Sequence, residues 1–257
     1  MGYGREERRK KYLTHLLRRE KKKVPDPFIV ILAIVFLAVL VIVLVVFMRP
    51  RIAAAVIKAI YPSAFTHIHT DKKVIAIAID DGPDPATTIA IGQLLANLNV
   101  PGTFFLIGSK VLLAPEIITS LKKIGHQIGA HFFEDSKTAI LDLHQVQQSH
   151  ELTMAALTPH TLVTYVRPGF GIPSKNIEAV VASHELTLVV GDIPALDTFN
   201  FPDWFYLTYL RLVVQPGSIV TFHDCGDRGD RTKRTLPTFI NWARSRGYTF
   251  VLLDGSH

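Results

Sequence analysis

Residues 74–83 read VIAIAIDDGP, and this stretch decides the fold. Its first six residues form a short apolar run rich in isoleucine and valine, which is typical of a strand buried in a parallel sheet. Further short apolar runs follow, and between them apolar residues recur at helical spacing. Alternating strands and helices predict an α/β fold with a parallel sheet, arranged as a small or incomplete barrel.

The predicted elements alternate along the chain from residue 71 onward. The predicted strands are Val74–Ile79, Gly102–Ile107, Gln127–Ala130, Leu162–Val166, Leu186–Val190, Gly217–Phe222 and Tyr248–Leu253. The predicted helices are one that begins at Pro85, then Pro115–Ile124, Leu143–Leu157, Ser174–Ser183, and one that carries Leu236, Phe239, Ile240 and Ala243.

Polar side chains follow five of these strands, at the point where each strand ends. In a parallel α/β barrel the functional groups gather at the carboxyl edge of the strands. In chain order the clusters are Asp80-Asp81, His131 with Asp135, Arg167, Asp192 with Asp197, and His223-Asp224. The sequence therefore predicts that the five clusters meet in one site.

The residue types in these clusters are those of metal-assisted hydrolysis. Asp81, His131 and Asp135 offer one nitrogen and two oxygen ligands, a set suited to zinc, with cobalt, nickel or manganese as alternatives. A divalent ion with an open position lowers the pKa of its bound water and polarises a carbonyl group.

Proton transfer would fall to neighbouring residues. Side chains alternate along a strand, so we expect Asp80 and Asp81 to point different ways, one to the metal and one to the substrate. Asp80 is then the candidate base for the water, and His223 the candidate acid for the leaving group. Arg167 can hold Asp80 ionised through charge-assisted hydrogen bonds.

Five ordered motifs resemble those of the NodB-homology polysaccharide deacetylases, carbohydrate esterase family 4, over about residues 72–254. The usual forms are TFDDGP, H-S/T-x-x-H, R-x-P-Y/F-G, Asp-Trp and L-x-H. This chain has IDDGP at 79–83, HFFED at 131–135, RPGFG at 167–171, DT at 197–198 and TFH at 221–223. The ordered set is more specific than any one of its motifs.

The resemblance implies a reaction and a role for each matching residue. The reaction is removal of an N-acetyl group from an N-acetylhexosamine in a polysaccharide, on a distorted (β/α) barrel. Asp80 would be the catalytic base, tuned by Arg167, and His223 the acid, oriented by Asp197. The backbone N–H of Phe170 would help to bind the oxyanion.

The resemblance also implies metal binding by Asp81, His131 and Asp135, and here the chain departs from the usual motif. Asp135 stands where the family has a second histidine, so its extra negative charge should strengthen cation binding and make the bound water less acidic. Thr198 and Thr221 replace the usual Trp and Leu, which changes the packing around the acetyl group.

A long apolar segment precedes this domain. Residues 28–48 are 21 consecutive apolar residues, which as a helix would span roughly 31 Å, about the thickness of a bilayer core. We interpret them as a retained signal anchor, against two alternatives: a cleaved signal peptide, whose apolar region is usually shorter, and a buried core helix. The predicted organisation is therefore a basic segment (1–27), the transmembrane anchor (28–48), a connector (49–70) and the catalytic domain (71–257).

The net charge of +6 belongs to the N-terminal segment. Residues 1–27 contain ten Lys/Arg and four Asp/Glu, so residues 28–257 contain 18 of each. This excludes a basic nucleic-acid-binding domain, and the charge asymmetry predicts a cytoplasmic N-terminus with the catalytic domain outside.

Two other functions stay open at this point. One is an O-acetyl esterase, of the acetylxylan type, that uses the same residues. The other is a non-catalytic cell-envelope protein that binds carbohydrate, its activity lost through the change at Asp135. The expected partners are a polysaccharide or oligosaccharide and, through residues 28–48, a lipid bilayer.

Overall fold

The computed structural model describes residues 6–12, 26–194, 196–199 and 201–256, without the side chains of residues 42–48. The chain divides into two compact units, Met1–Val46 and Phe47–His257. Of the predicted cytoplasmic segment 1–27, residues 1–5 and 13–25 lie outside the described residues.

The first unit is helical wherever it is described. Residues 6–12 form α1, and α2 (Pro27–Met48) has 22 residues. The predicted apolar segment is therefore a helix. Over the described part of the chain, no helix is both long and apolar enough to cross a membrane. The anchor stays a prediction.

The second unit contains alternating helices and strands. In chain order these are α3 (Pro50–Ile60), β1 (Val74–Gly82), α4 (Thr88–Asn97), β2 (Thr103–Leu106), α5 (Gly108–Val111), α6 (Glu116–Lys123), β3 (Gln127–Ala130), α7 (Leu143–Leu157), β4 (Tyr165–Val166), α8 (Lys175–Ser183), β5 (Thr187–Leu188), α9 (Asp203–Val213), β6 (Ser218–His223), α10 (Gly226–Ser245) and β7 (Thr249–Val251). Short 3₁₀ turns cover Thr138–Ile140, Gly169–Gly171 and Leu196–Thr198.

All strand pairs are parallel, and the order is β5-β4-β3-β2-β1-β6, with β7 beside the first residues of β1. Helices cover the sheet, and eight of the nine residues of β1 are buried. This burial explains why the strand reads as a continuous apolar run up to its two aspartates. The predicted parallel α/β fold is confirmed, as a curled half-barrel.

The segment predicted as a connector packs on the sheet. Phe65 N–H donates to the carbonyl of Leu188 at 2.7 Å, and Val190 N–H donates to the carbonyl of Phe65 at 2.9 Å. Three residues later, Ile68 N–H donates to the carbonyl of Gly217 at 2.9 Å. The chain thus runs from the end of β5 to the start of β6 and joins the two edges of the half-barrel.

The helix α3 (Pro50–Ile60) forms the first half of the segment 49–70. Its buried residues are Pro50 and Ala54, while Ile52, Val56 and Ile60 are about half exposed, at 47–55%. Ile57 packs against the core, so three of the four large apolar side chains of this helix face solvent.

Besides the short α5, which was not predicted, two longer parts of the second unit differ from the predicted elements. No helix was predicted over α9, although its buried residues Tyr206, Tyr209, Leu210 and Val213 recur at helical spacing. Its aromatic residues lower the helix propensity and hide the pattern. The second difference is α10, which begins at Gly226, ten residues before Leu236, the first residue named in the predicted helix.

Candidate active site

The carboxyl ends of the strands surround one cavity of about 560 Å³. Seven of the eight predicted site residues line it: Asp80, Asp81, His131, Asp135, Arg167, Phe170 and His223. The eighth, Asp197, contacts His223 from behind the cavity wall. The expectation that the strand-end clusters meet is confirmed, except that Asp192 and Asp224 are buried and do not line the cavity.

The candidate base and the candidate acid stand on neighbouring strands. Asp80 near the end of β1 and His223 at the end of β6 are paired in register, so their side chains leave the sheet side by side. Asp80 is 2% exposed, and its Oδ2 accepts a hydrogen bond from Arg167 Nε at 2.6 Å. Its Oδ1 is buried and has no partner among the described residues. This second oxygen is available to accept a proton.

Both neighbouring carboxylates line the same cavity but have different partners, Asp80 contacting Arg167 and Asp81 contacting His131. The strand pairing shifts register between Asp80 and Gly82, and Asp81 has a left-handed backbone with φ 79°. Such a bulge breaks the alternation of side chains along a strand. The strained backbone therefore brings two carboxylates into one site.

Arg167 connects the two halves of the site. Its Nε binds Asp80, its Nη1 donates to the carbonyl of Val190, and its own carbonyl accepts a hydrogen bond from His131 Nδ1 at 3.0 Å. Because all three contacts are buried, Arg167 fixes the position of Asp80 relative to His131. The predicted contact between Arg167 and Asp80 is present.

His223 is held at two points by one carboxylate. Asp197 Oδ1 accepts from the Nδ1 of His223 at 2.8 Å, and Asp197 Oδ2 accepts from its backbone N–H at 3.0 Å. Burial acts to lower the pKa of His223, but Asp197 and the charges of Asp80 and Asp81 outweigh it and raise the pKa to about 8. The ring is therefore protonated at neutral pH, with its Nε2 proton free for a leaving group.

Replacing Asp197 by Asn should shift the pH dependence of any reaction that needs protonated His223. The hydrogen bond and the negative charge that raise the pKa would both weaken, so the pKa of His223 should fall from about 8. The alkaline limb of kcat should move to lower pH by about one unit. A pH profile of the variant checks this, and an unmoved limb would show that Asp197 does not control His223.

His131 and Asp81 suit a divalent cation. Because Nδ1 of His131 donates to a carbonyl, Nε2 is the ring's free ligand atom, and it lies 3.4 Å from Asp81 Oδ1. Two ligand atoms each about 2.1 Å from a tetrahedral ion lie about 3.4 Å apart. Burial acts to raise the pKa of Asp81, but His131, His223 and Arg228 hold it well below its usual range. The carboxylate is therefore ionised.

The third predicted ligand is less well placed. Asp135 lines the cavity but is exposed, in a turn after β3. Across the described residues, no group of three or more His, Cys, Asp or Glu side chains is arranged to hold a metal ion. The residues thus fit a cation at two of the three predicted positions, and a role for Asp135 stays a prediction.

Two basic residues near Asp81 were not predicted. Arg228 Nη1 lies 2.8 Å from Asp81 Oδ2, and Lys110 Nζ donates to the backbone carbonyl of Asp81 at 2.8 Å. Arg228 comes from the first turns of α10 and Lys110 from α5. Lys110 lies four residues after β2 and Arg228 five residues after β6, on helices that were not predicted to begin there.

The motif around Phe170 forms a tight turn at the cavity rim. Phe170 has a left-handed backbone with φ 60°, and Gly169 N–H donates to Thr138 Oγ1 at 2.9 Å. A Cβ on Gly169 would lie only 2.1 Å from the carbonyl oxygen of Ser136, so only glycine fits there. The turn leaves the Phe170 ring 62% exposed.

Comparison with known proteins finds similarity to polysaccharide deacetylases. A family model described as polysaccharide deacetylase matches residues 67–189. A peptidoglycan-N-acetylglucosamine deacetylase of Bacillus cereus is 37% identical, over 77% of this chain and 95% of its own length. A peptidoglycan-N-acetylglucosamine deacetylase of Listeria monocytogenes is 28% identical over 79% of this chain, and the chain spans 44% of its length.

Solved structures share the fold. A peptidoglycan N-acetylglucosamine deacetylase bound to a hydroxamate-type benzamide superposes with a TM-score of 0.71 at 24% identity, over 77% of this chain and 93% of its own. A family 4 acetyl xylan esterase from Clostridium thermocellum, in complex with a cobalt ion, gives 0.65 at 28% identity, over 71% and 89%. The resemblance drawn from the five motifs is confirmed.

Proposed function

Since the chain belongs to the polysaccharide deacetylase family, we propose that it is a metal-dependent hydrolase that removes N-acetyl groups from N-acetylhexosamine polymers of the peptidoglycan or chitooligosaccharide type. The observation that carries this proposal is the pairing of Asp80 with His223 across adjacent strands. Arg167 holds Asp80, and Asp197 holds His223. Asp80 and His223 line the same cavity.

The two residues divide the proton transfers. Asp80 Oδ1 takes a proton from the attacking water, whose oxygen forms a bond to the acetyl carbon. His223 then gives its Nε2 proton to the sugar nitrogen as the carbon–nitrogen bond breaks, which leaves acetate and a free amine. The backbone N–H of Phe170 donates to the carbonyl oxygen as it gains charge.

His131 and Asp81 would hold the metal ion, with Asp135 as the third ligand. When bound, the ion supplies a more acidic water and a polarised carbonyl. A mixed nitrogen and oxygen donor set suits zinc, and cobalt, nickel and manganese are alternatives. A family 4 relative of known structure carries cobalt.

The other functions left open by the sequence are less well supported. A non-catalytic binding protein would have no need of a carboxylate held at 2.6 Å by Arg167 and a histidine held at 2.8 Å by Asp197. An O-acetyl esterase could use the same residues, and one solved relative is named an acetyl xylan esterase. The 37% identical relative is named for N-acetylglucosamine, which favours the N-acetyl substrate.

Acetate release from three substrates tests the proposal. We expect release from N-acetylglucosamine oligomers or peptidoglycan, and at most slow release from acetylxylan. Faster release from acetylxylan would identify an O-acetyl esterase. Release from none, by a folded and metal-supplemented protein, would support the non-catalytic function.

We also propose that residues 28–48 anchor the chain in a bilayer, with the N-terminal segment cytoplasmic and the catalytic domain on the outer side. The support is 21 apolar residues after ten Lys/Arg and the helical state of Pro27–Met48. The exposed Ile52, Val56 and Ile60 of α3 follow this segment directly. Retention in the membrane after alkaline carbonate washing, with protease access to the domain from outside, is the expected result. Release by the wash would contradict the anchor.

A further inference from the structure

We propose that an exposed aromatic face beside the cavity binds the sugar residues next to the one that reacts. The face consists of Phe199, Phe201, Trp204 and Phe205, and this inference rests on the proposed function. None of these residues belongs to the five family motifs. The face would make the protein prefer a polymer or a long oligosaccharide to a short one.

The four rings form a continuous surface. The ring centroids of Phe199 and Phe201 are 5.7 Å apart, those of Phe201 and Phe205 4.7 Å, and those of Trp204 and Phe205 5.9 Å. Phe199 is 56% exposed, Phe201 38% and Trp204 67%. Several neighbouring aromatic side chains exposed to water are typical of a binding site, because exposing apolar surface costs free energy.

The face is continuous with the candidate active site. Phe199 lines the cavity together with Asp80 and His223. It lies two residues after Asp197, which holds His223. A polymer whose acetyl group enters the cavity would therefore run across Phe199 as it leaves.

The face is also fixed in place. Arg231 Nη1 donates to the carbonyl of Phe199 at 2.5 Å and to the carbonyl of Asp197 at 3.2 Å. The same guanidinium thus holds the aromatic segment and the residue that positions the catalytic acid. A surface that is ordered before binding loses little entropy when a ligand arrives.

The chemistry of the face suits an uncharged sugar chain. Hexosamine rings have apolar C–H faces that pack flat on aromatic side chains, while their hydroxyl groups remain in water. Beyond residue 27 the chain carries equal numbers of acidic and basic residues, so a charged partner gains no general attraction. A lipid surface is the alternative occupant, but lipid binding would not explain why the face adjoins the active-site cavity.

Oligosaccharide binding by Trp204→Ala and Phe201→Ala, in the full chain, tests the inference, because neither residue lines the cavity. The probes are N-acetylglucosamine pentamer and monomer, with Kd measured by calorimetry and the KM for the pentamer by acetate release. We expect the Kd and KM for the pentamer to rise about tenfold, since each ring loses its buried contact. The monomer should bind as it does to the unmodified chain, and kcat for the pentamer should change less than about twofold.

Two further variants sharpen the test. Trp204→Phe keeps an aromatic ring and should recover most of the pentamer affinity. Leu162→Ala removes an apolar side chain that is 87% exposed and does not line the cavity, so it should leave both Kd values unchanged.

Several results would overturn the inference. Equal effects on pentamer and monomer, or none on either, would show that the face does not bind neighbouring sugars. Normal binding of soluble oligomers, with a loss seen only on substrate in lipid vesicles, would assign the face to a membrane instead. Pentamer binding that needs Trp204 but yields no acetate would support the face and contradict the proposed function.

Discussion

The variant Asp80→Asn should release acetate about a thousandfold more slowly than the unmodified chain, because an amide cannot take the proton from the attacking water. The amide oxygen can still accept from Arg167 Nε, so the local structure should be kept. Metal content should also stay the same, since Asp80 is not one of the predicted metal ligands. The measurement is kcat on an N-acetylglucosamine oligomer, with metal content determined on the same sample.

A matched variant controls for the loss of one negative charge. Asp230 is an exposed carboxylate of α10 that pairs with Lys233 at 2.8 Å, so Asp230→Asn should keep full activity. If Asp80→Asn kept more than about a tenth of the activity, another group would be the base.

The variant His131→Ala should lose both the metal ion and the activity. The variant lacks Nε2 of His131, which lies 3.4 Å from Asp81 Oδ1, and so keeps one of the two well-placed ligands. Metal content by elemental analysis after dialysis checks this without reference to turnover. His144→Ala, which removes an exposed histidine of α7, should keep its metal.

Full metal occupancy in His131→Ala would contradict the assignment of this site. The third position is tested by Asp135→His, which restores the usual residue of the family motif. This variant should keep its metal and its activity if Asp135 ligates. A complete loss would show that Asp135 acts in another way.

The sequence predicted the parallel fold and the meeting of the strand-end residues, since both follow from local patterns. Apolar runs of four to six residues predict buried strands, and parallel strands end at one edge. The pairing of Asp80 with His223 could therefore be expected in general terms. The contact between Arg167 and Asp80 was expected on chemical grounds and is present.

The remaining features depend on tertiary packing. The bulge at Asp81 arises where β1 pairs with β2. The rule that side chains alternate along a strand does not predict it. Arg228 reaches Asp81 from a helix start that reads as a loop because it is rich in Gly and Asp. The backbone pairing of Phe65 with β5 leaves no signal in the sequence, because nearly every residue type has the same backbone N–H and carbonyl groups.

The most direct test of the account is acetate release from an N-acetylglucosamine oligomer by chelator-treated protein, before and after a divalent ion is added back. We predict that release stops after chelation and returns with zinc or cobalt, and that Asp80→Asn does not recover under the same treatment. Acetate release that is unchanged by the chelator would contradict the proposed chemistry, and so would a recovery in Asp80→Asn equal to that of the unmodified chain.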